Sequence, residues 1–186
     1  MDKEQIITEI LHYELSMFLG VPNENKQESC QQYPNAFTVM RKVSHIVQNT
    51  DYLSSYLEDL QQAALDNRNL MIEKYALMAA ASIDSIPKDS LYHKIIAQEQ
   101  IWRAEMQKLY PHILKNSEQD FTLYLYCELQ TLSEKTLKLY YENIAEAVKA
   151  NKNLVMERYE ALMKFLGYSG LAEKEQQLKN AISERN

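Results

Sequence analysis

The chain has 186 residues, 46% of them hydrophobic and 25% charged, and a formal net charge of -6. That length suits one domain with one sizeable core, and the acidic balance gives a nucleic-acid backbone little to hold. Three glycines and four prolines are few for the tight turns of a sheet protein, and no apolar run approaches the roughly eighteen residues needed to span a membrane.

In chain order, the first helix is expected over Asp2 to Leu19, with Ile6, Ile7, Ile10, Leu11, Met17 and Phe18 at spacings of three and four. Its acidic, amphipathic start is unlike a secretory signal, so a cytoplasmic location is expected. Gly20 and Pro22 stop the helix, and a polar connection follows from Val21 to Pro34 that contains Cys30. A second helix is predicted over Asn35 to Val47. A third carries Leu53, Leu57, Leu60 and Ala64 inward after a cap at Asn49 or Thr50. Asp66-Asn67 reads as a turn and Asn69 as the cap of a fourth helix with a Met71, Tyr75 and Met78 stripe. Ile86-Pro87 closes this half. Further helices are expected at Asp89 to Leu109, Glu118 to Thr131, Ser133 to Ala150 and Leu154 to Leu166, then a short one near the end. The cysteines, Cys30 and Cys127, read as two reduced thiols, with Cys127 as packing material.

The strongest pattern is a repeat. NRNLMIEKYALM at Asn67 returns as NKNLVMERYEAL at Asn151, and the match runs back at a constant lag of 84 residues through Tyr56 and Tyr140 to Phe37 and Phe121. The first and fifth helices align at a lag of 89, pairing Ile6-Ile7 with Ile95-Ile96, Tyr13 with Trp102 and Met17 with Met106. On that register five residues are missing from the second connection. The expectation is an all-α single domain over 1–186: an internally duplicated helical bundle. Two four-helix units, about 1–86 and 88–166, share a core around a pseudo-two-fold axis, with a C-terminal helix at about 170–184.

Taken together, YELSMF at Tyr13, ESCQQYPNAFTVMR at Glu28, YLSSYLEDLQQAALDNRNLMIEKYA at Tyr52, IWRAEM around Trp102 and TLKLYYENIAEAVKANKNLVMERYE at Thr136 make a pattern. It resembles a small bacterial family of uncharacterised all-helical proteins, a domain of unknown function, over nearly the whole chain. Members of that family tend to place tryptophan near the position of Tyr13 and glycine where this chain has Asn67 and Asn151. The resemblance implies architecture and carries no activity.

Several residues are candidates for a site. Glu58 and Glu142, and Glu73 and Glu157, recur at the lag. A two-fold arrangement brings up to four carboxylates near the shared axis, where they suit a metal, a cationic ligand or acid–base work. The competing reading makes them structural acids near helix starts. Arg41 and His45 break the repeat, since Leu125 and Leu129 stand opposite them. Four residues apart, they share a helix face and suit a carboxylate or phosphate clamp. The alternative ties Arg41 to the loop through Glu28 or to Asp51. Tyr75 and Tyr159 recur beside the glutamates and line either a polar pocket or a hydrogen-bond network.

The binding candidates are therefore Arg41, His45, Glu58, Glu73, Tyr75, Glu142, Glu157 and Tyr159, with catalytic residues unassigned and no cofactor or metal expected. A di-iron centre calls for two Glu-x-x-His pairs, and only Glu9 to His12 has that spacing. The function expected is binding of a small polar or anionic ligand between the repeat halves. The alternative is a protein–protein interaction or scaffold module, as a monomer or homodimer, with no nucleic acid and no membrane. Whether the chain is an enzyme stays open.

Overall fold

A computed structural model describes residues 1–22, 34–114 and 118–184. The described residues form α1 (Lys3–Leu19), α2 (Pro34–Ile46), α3 (Thr50–Leu65), α4 (Leu70–Ala80), a 3-10 turn (Ile83–Ser85), α5 (Leu91–Leu109), α6 (Glu118–Leu129), α7 (Glu134–Lys149), α8 (Leu154–Phe165) and α9 (Leu171–Ser183), with no strand among them. Most of the connection containing Cys30 and Glu28 lies outside the described residues.

Local chemistry sets the helix starts. Asp2 and Gln5 close a reciprocal capping box on α1. Asn49, Asn69, Ser90, Ser133 and Asn153 each place a side-chain oxygen on an otherwise unpaired amide of the first turn. The ends are equally specific. Asn67 and Asn151 both sit at φ 53 just past α3 and α7. Arg68 N then reaches Ala63 O at 2.8 Å and Lys152 N reaches Ala147 O at 2.9 Å, which ends each helix in a Schellman motif.

Apolar burial gathers the helices into one core. α1 packs on α2, α3 and α4, and α5 packs on α6, α7 and α8. α3 lies against α7 at the centre, while α2 crosses to α8 and α4 crosses to α6. The helices before and after Pro87 therefore interleave, and neither set closes a core alone. Ile10, Leu53, Leu60, Ile95, Met106 and Leu129 are almost fully buried in that core, each removing enough apolar surface from water to stabilise the fold by about 1.5–3 kcal/mol. Cys127 is buried with a free thiol. α9 rests on α8. It is also clasped by Glu175, which accepts from the His112 amide at 3.1 Å and lies 2.6 Å from its Nδ1.

Two apolar stripes each depart from the expectation at one position, while Leu53, Leu57, Leu60 and Met71 are buried as expected. On α3 the inward alanine is Ala63, and Ala64 is exposed. On α4 the buried face is Leu70, Met71 and Lys74, while Tyr75 is 37% exposed.

The register of α1 against α5 also differs. Tyr56 donates to Glu14 and Tyr140 to Glu99. Asn69 Nδ2 donates to Met17 O at 2.8 Å and Asn153 Nδ2 to Trp102 O at 3.0 Å. Phe18 stacks on Phe37 at 4.1 Å, and the Arg103 guanidinium lies 4.1 Å from the Phe121 ring centre. In all three comparisons the α1 and α5 positions are 85 residues apart, not 89. The difference is one helical turn, which leaves an apolar stripe looking the same and so hides from sequence comparison. Between these aligned contacts the second connection is shorter by one residue rather than five, and α5 continues where α1 has stopped.

Candidate functional site

The interior carries charge. Glu14 on α1 and Glu99 on α5 are both buried among apolar side chains. The Oε1 of Glu14 accepts from Arg41 Nη2 at 2.5 Å and from the Tyr56 hydroxyl at 2.9 Å. Both of its oxygens lie 3.1 Å from His45 Nε2. Arg41 uses Nη1 on Glu128, at 2.9 Å and 3.2 Å to the two oxygens. Glu128 also lies 3.3 Å from Lys74 Nζ, which donates to the Tyr124 hydroxyl at 2.8 Å. A continuous polar chain thus runs through α3, α1, α2, α6 and α4.

A shorter cluster occupies the other side. Glu99 accepts from the Tyr140 hydroxyl at 3.1 Å and from Arg158 Nη2 at 3.2 Å. Between the clusters, the hydroxyls of Ser55 and Thr136 meet at 2.7 Å on the α3–α7 contact, and Asn143 Nδ2 donates to Gln48 at 2.6 Å.

These contacts fix the charge states. Burial alone would raise the Glu14 pKa, but Arg41 and His45 beside it hold the carboxyl far below the usual range. For Glu128 burial is likewise outweighed by Arg41 and Lys74, and its pKa falls to about 2. Lys74 is pulled up against its own burial by Glu128, and Arg158 by Glu99. Tyr52, Tyr56, Tyr124 and Tyr140 are pushed up, first by burial. At neutral pH Glu14 and Glu128 are anions, Arg41, Lys74 and Arg158 are cations and the four phenols are neutral, so these charges form a fixed array.

A cavity of about 420 Å³ opens beside the array, walled by α2, α6 and α8 with Tyr52 and Tyr140 beneath. Its volume falls in the range that holds small organic ligands. Most of the lining is apolar or aromatic: Met40, Met78, Phe121, Leu125, Val155, Leu162, Tyr124 and Tyr159. Its polar positions are Arg41, Ser44, His45, Gln48, Arg103, Asp120, Glu128 and Arg158. Arg103 makes no ion pair among the described residues and lies over Phe121. The Nε atoms of Arg41 and Arg158 are buried without a hydrogen-bond partner.

Of the residues expected to form a site, Arg41, His45 and Tyr159 line this cavity. The four repeated acids do not converge. Glu58 pairs with Lys135 on the surface, both side chains 63% exposed, and Glu73 pairs with Arg68 in a bidentate bridge. Glu142 and Glu157 are exposed. Each acid is one or two positions from an inward residue, Tyr56, Lys74, Tyr140 or Arg158, and about 100° of rotation per residue carries it out of the core. Tyr75 turns outward with Glu73 and lies 5.3 Å from Lys74 Nζ, measured to its ring centre. Asp51 is exposed, and the described carboxylate partners of Arg41 are Glu14 and Glu128. Among the described residues no three His, Cys, Asp or Glu side chains gather as for a metal ion.

Sequence reading missed Glu14, Lys74, Glu99, Arg103, Glu128 and Arg158. Two signals were present. Lys74 and Arg158 are repeat-matched bases, and Glu14 and Glu99 each sit where an apolar stripe should continue, at i+4 from Ile10 and from Ile95.

No described helix is long and apolar enough to cross a membrane. No curated protein and no solved structure matches the chain. A family model does, over residues 4–176, and with nearly the whole chain covered the protein belongs to the family described as protein of unknown function (DUF4125).

Proposed function

We propose that this protein is an internally duplicated helical bundle whose cavity between the two halves binds a small anionic ligand with an apolar body. The observation that carries the reading is Arg103, a cation on the cavity wall with no acid paired to it among the described residues. Arg41 and Arg158 add positive charge from two other walls, each already balanced by a buried carboxylate. A guanidinium offers a planar fork that matches carboxylate and phosphate, and the aromatic and aliphatic lining suits the rest of such a molecule. The duplication is supported by the matched contacts of α1 with α3 and α4 and of α5 with α7 and α8.

Titration calorimetry with benzoate, phenyl phosphate and inorganic phosphate tests this reading, on the wild type and on Arg103→Gln. Binding of the aromatic anions is expected, weakened about tenfold or more by the substitution, while the melting temperature stays within a few degrees. Saturating concentrations that give no heat and no shift in melting temperature would remove the anion pocket. Equal binding by Arg103→Gln would remove Arg103 as its anchor.

A further inference from the structure

Gln48 follows α2, lines the cavity and is almost fully buried. The hydrogen-bonding sense of its amide is set from the backbone. The Asn49 amide N–H donates to Asn143 Oδ1 at 2.9 Å, which fixes the other end of the Asn143 side chain as Nδ2. That Nδ2 donates to Gln48 Oε1 at 2.6 Å, so the remaining end of the Gln48 amide is its NH2 group, a donor only. No group among the described residues accepts from it. The side-chain atoms there that are both sealed from solvent and unbonded are Arg41 Nε, Gln130 Nε2 and Arg158 Nε. Gln48 Nε2 is not one of them, so it keeps accessible surface, and the space that Gln48 borders is the cavity.

We infer that the Gln48 amide is a ligand-binding donor, so that the anion held in the cavity also carries an uncharged acceptor such as a carbonyl. This rests on the anion reading above and narrows it. Arg41 and Arg158 commit their Nη groups to Glu14, Glu128 and Glu99, His45 turns Nε2 to Glu14, and Ser44 donates to Met40 O at 3.0 Å. Arg103 remains for the charged end, which a guanidinium holds better than a neutral amide does. The Tyr52 and Tyr159 hydroxyls on the same walls both give and accept, so they suit either kind of ligand group, whereas the Gln48 NH2 can only give. A ligand that fills the space beside it without an acceptor displaces water and returns no hydrogen bond, and so binds more weakly. A keto acid or an N-acyl amino acid with an apolar body offers both groups.

Two measurements on the full chain test the inference. Calorimetry gives affinities for meta- and para-acetylbenzoate and for the meta- and para-isopropylbenzoates, which keep the shape and lack the carbonyl. At least one acetyl compound is expected to bind about tenfold tighter than its isopropyl counterpart. Gln48→Glu keeps the acceptor that Asn143 needs and puts an oxygen where the NH2 stood, so the preference should vanish there. In nitrogen-15 spectra of the wild type, the Gln48 side-chain amide protons should move downfield with that acetyl compound and stay in place with its isopropyl counterpart. Acetyl and isopropyl compounds that bind alike overturn the Gln48 role and leave the anion pocket standing. An unmoved Gln48 amide, or a preference that persists in Gln48→Glu, does the same. Failure of all four to bind overturns both. The wild-type preference and the amide shift decide the matter even if Gln48→Glu does not fold.

Discussion

Arg41 Nη2 and Glu14 Oε1 meet at 2.5 Å inside the protein, where the Glu14 side chain is wholly shielded and that of Arg41 is 9% exposed. Such a pair adds little net stability when whole, because desolvating both charges offsets their attraction, yet losing one partner leaves the other stranded. Glu14→Gln and Arg41→Met are each expected to lower unfolding free energy by about 3–5 kcal/mol. The double variant should lose clearly less than the two losses added. Urea titrations of the three variants measure this, provided the slope stays constant. Strict additivity would mean that the two side chains act independently, contrary to the contact.

Acid should unfold the protein over a definite window. The folded-state pKa of Glu128 lies at about 2 against an ordinary 4.5, and that of Glu14 is lower still. A depressed carboxyl pKa means that the unfolded chain binds more protons, so the stabilisation is present in full above about 4.5 and is lost as pH falls toward 2. Because the Glu128 side chain is 24% exposed, we expect its share to be about 2 kcal/mol. Urea midpoints should be level from about pH 7 to 5 and fall steeply below 4.5, with a shallower fall in Glu128→Gln. An equal slope in that variant would place the acid sensitivity elsewhere.

What could be read in the sequence followed from local rules. The caps at Asn49, Asn69 and Ser133 and the stop at Gly20 depend on a few neighbouring residues, and the helix limits follow them, whereas α4 ends at Ala80, short of Ile86-Pro87. The buried charges depend on partners far along the chain. Glu14 and Glu128 become legible only when α1 and α6 are both known to border Arg41. The repeated sequence pattern drew attention to Glu58 and Glu73, but such a pattern does not separate surface acids from core groups, and both pair with surface bases. Arg41 and His45 stood out for the opposite reason, as departures from the repeated pattern, and both line the cavity. The α1–α5 register was not legible, because stripes of isoleucine and methionine look alike after one turn.

The left-handed residues after α3 and α7 allow a sharper test. Asn67 and Asn151 share φ 53, and Gly167 fills the same place after α8 at φ 89. There Tyr168 N reaches Met163 O at 3.0 Å, matching the bonds of Arg68 and Lys152. A side chain with a Cβ pays about 1–2 kcal/mol in this conformation, which asparagine partly escapes and glycine avoids. Asn67→Gly and Asn151→Gly are therefore expected to leave stability unchanged to within about 0.5 kcal/mol, because glycine's looser unfolded chain offsets its easier turn. Asn67→Ala and Asn151→Ala should each cost about 1 kcal/mol, a fall of roughly 2–4 °C in melting temperature for a chain of this size. Both side chains are exposed, so any loss comes from the backbone rather than from packing. Alanine variants as stable as the glycine ones would mean that the turn relaxes out of the left-handed region, and the amide bonds from Arg68 and Lys152 would then exchange with solvent faster than in the wild type.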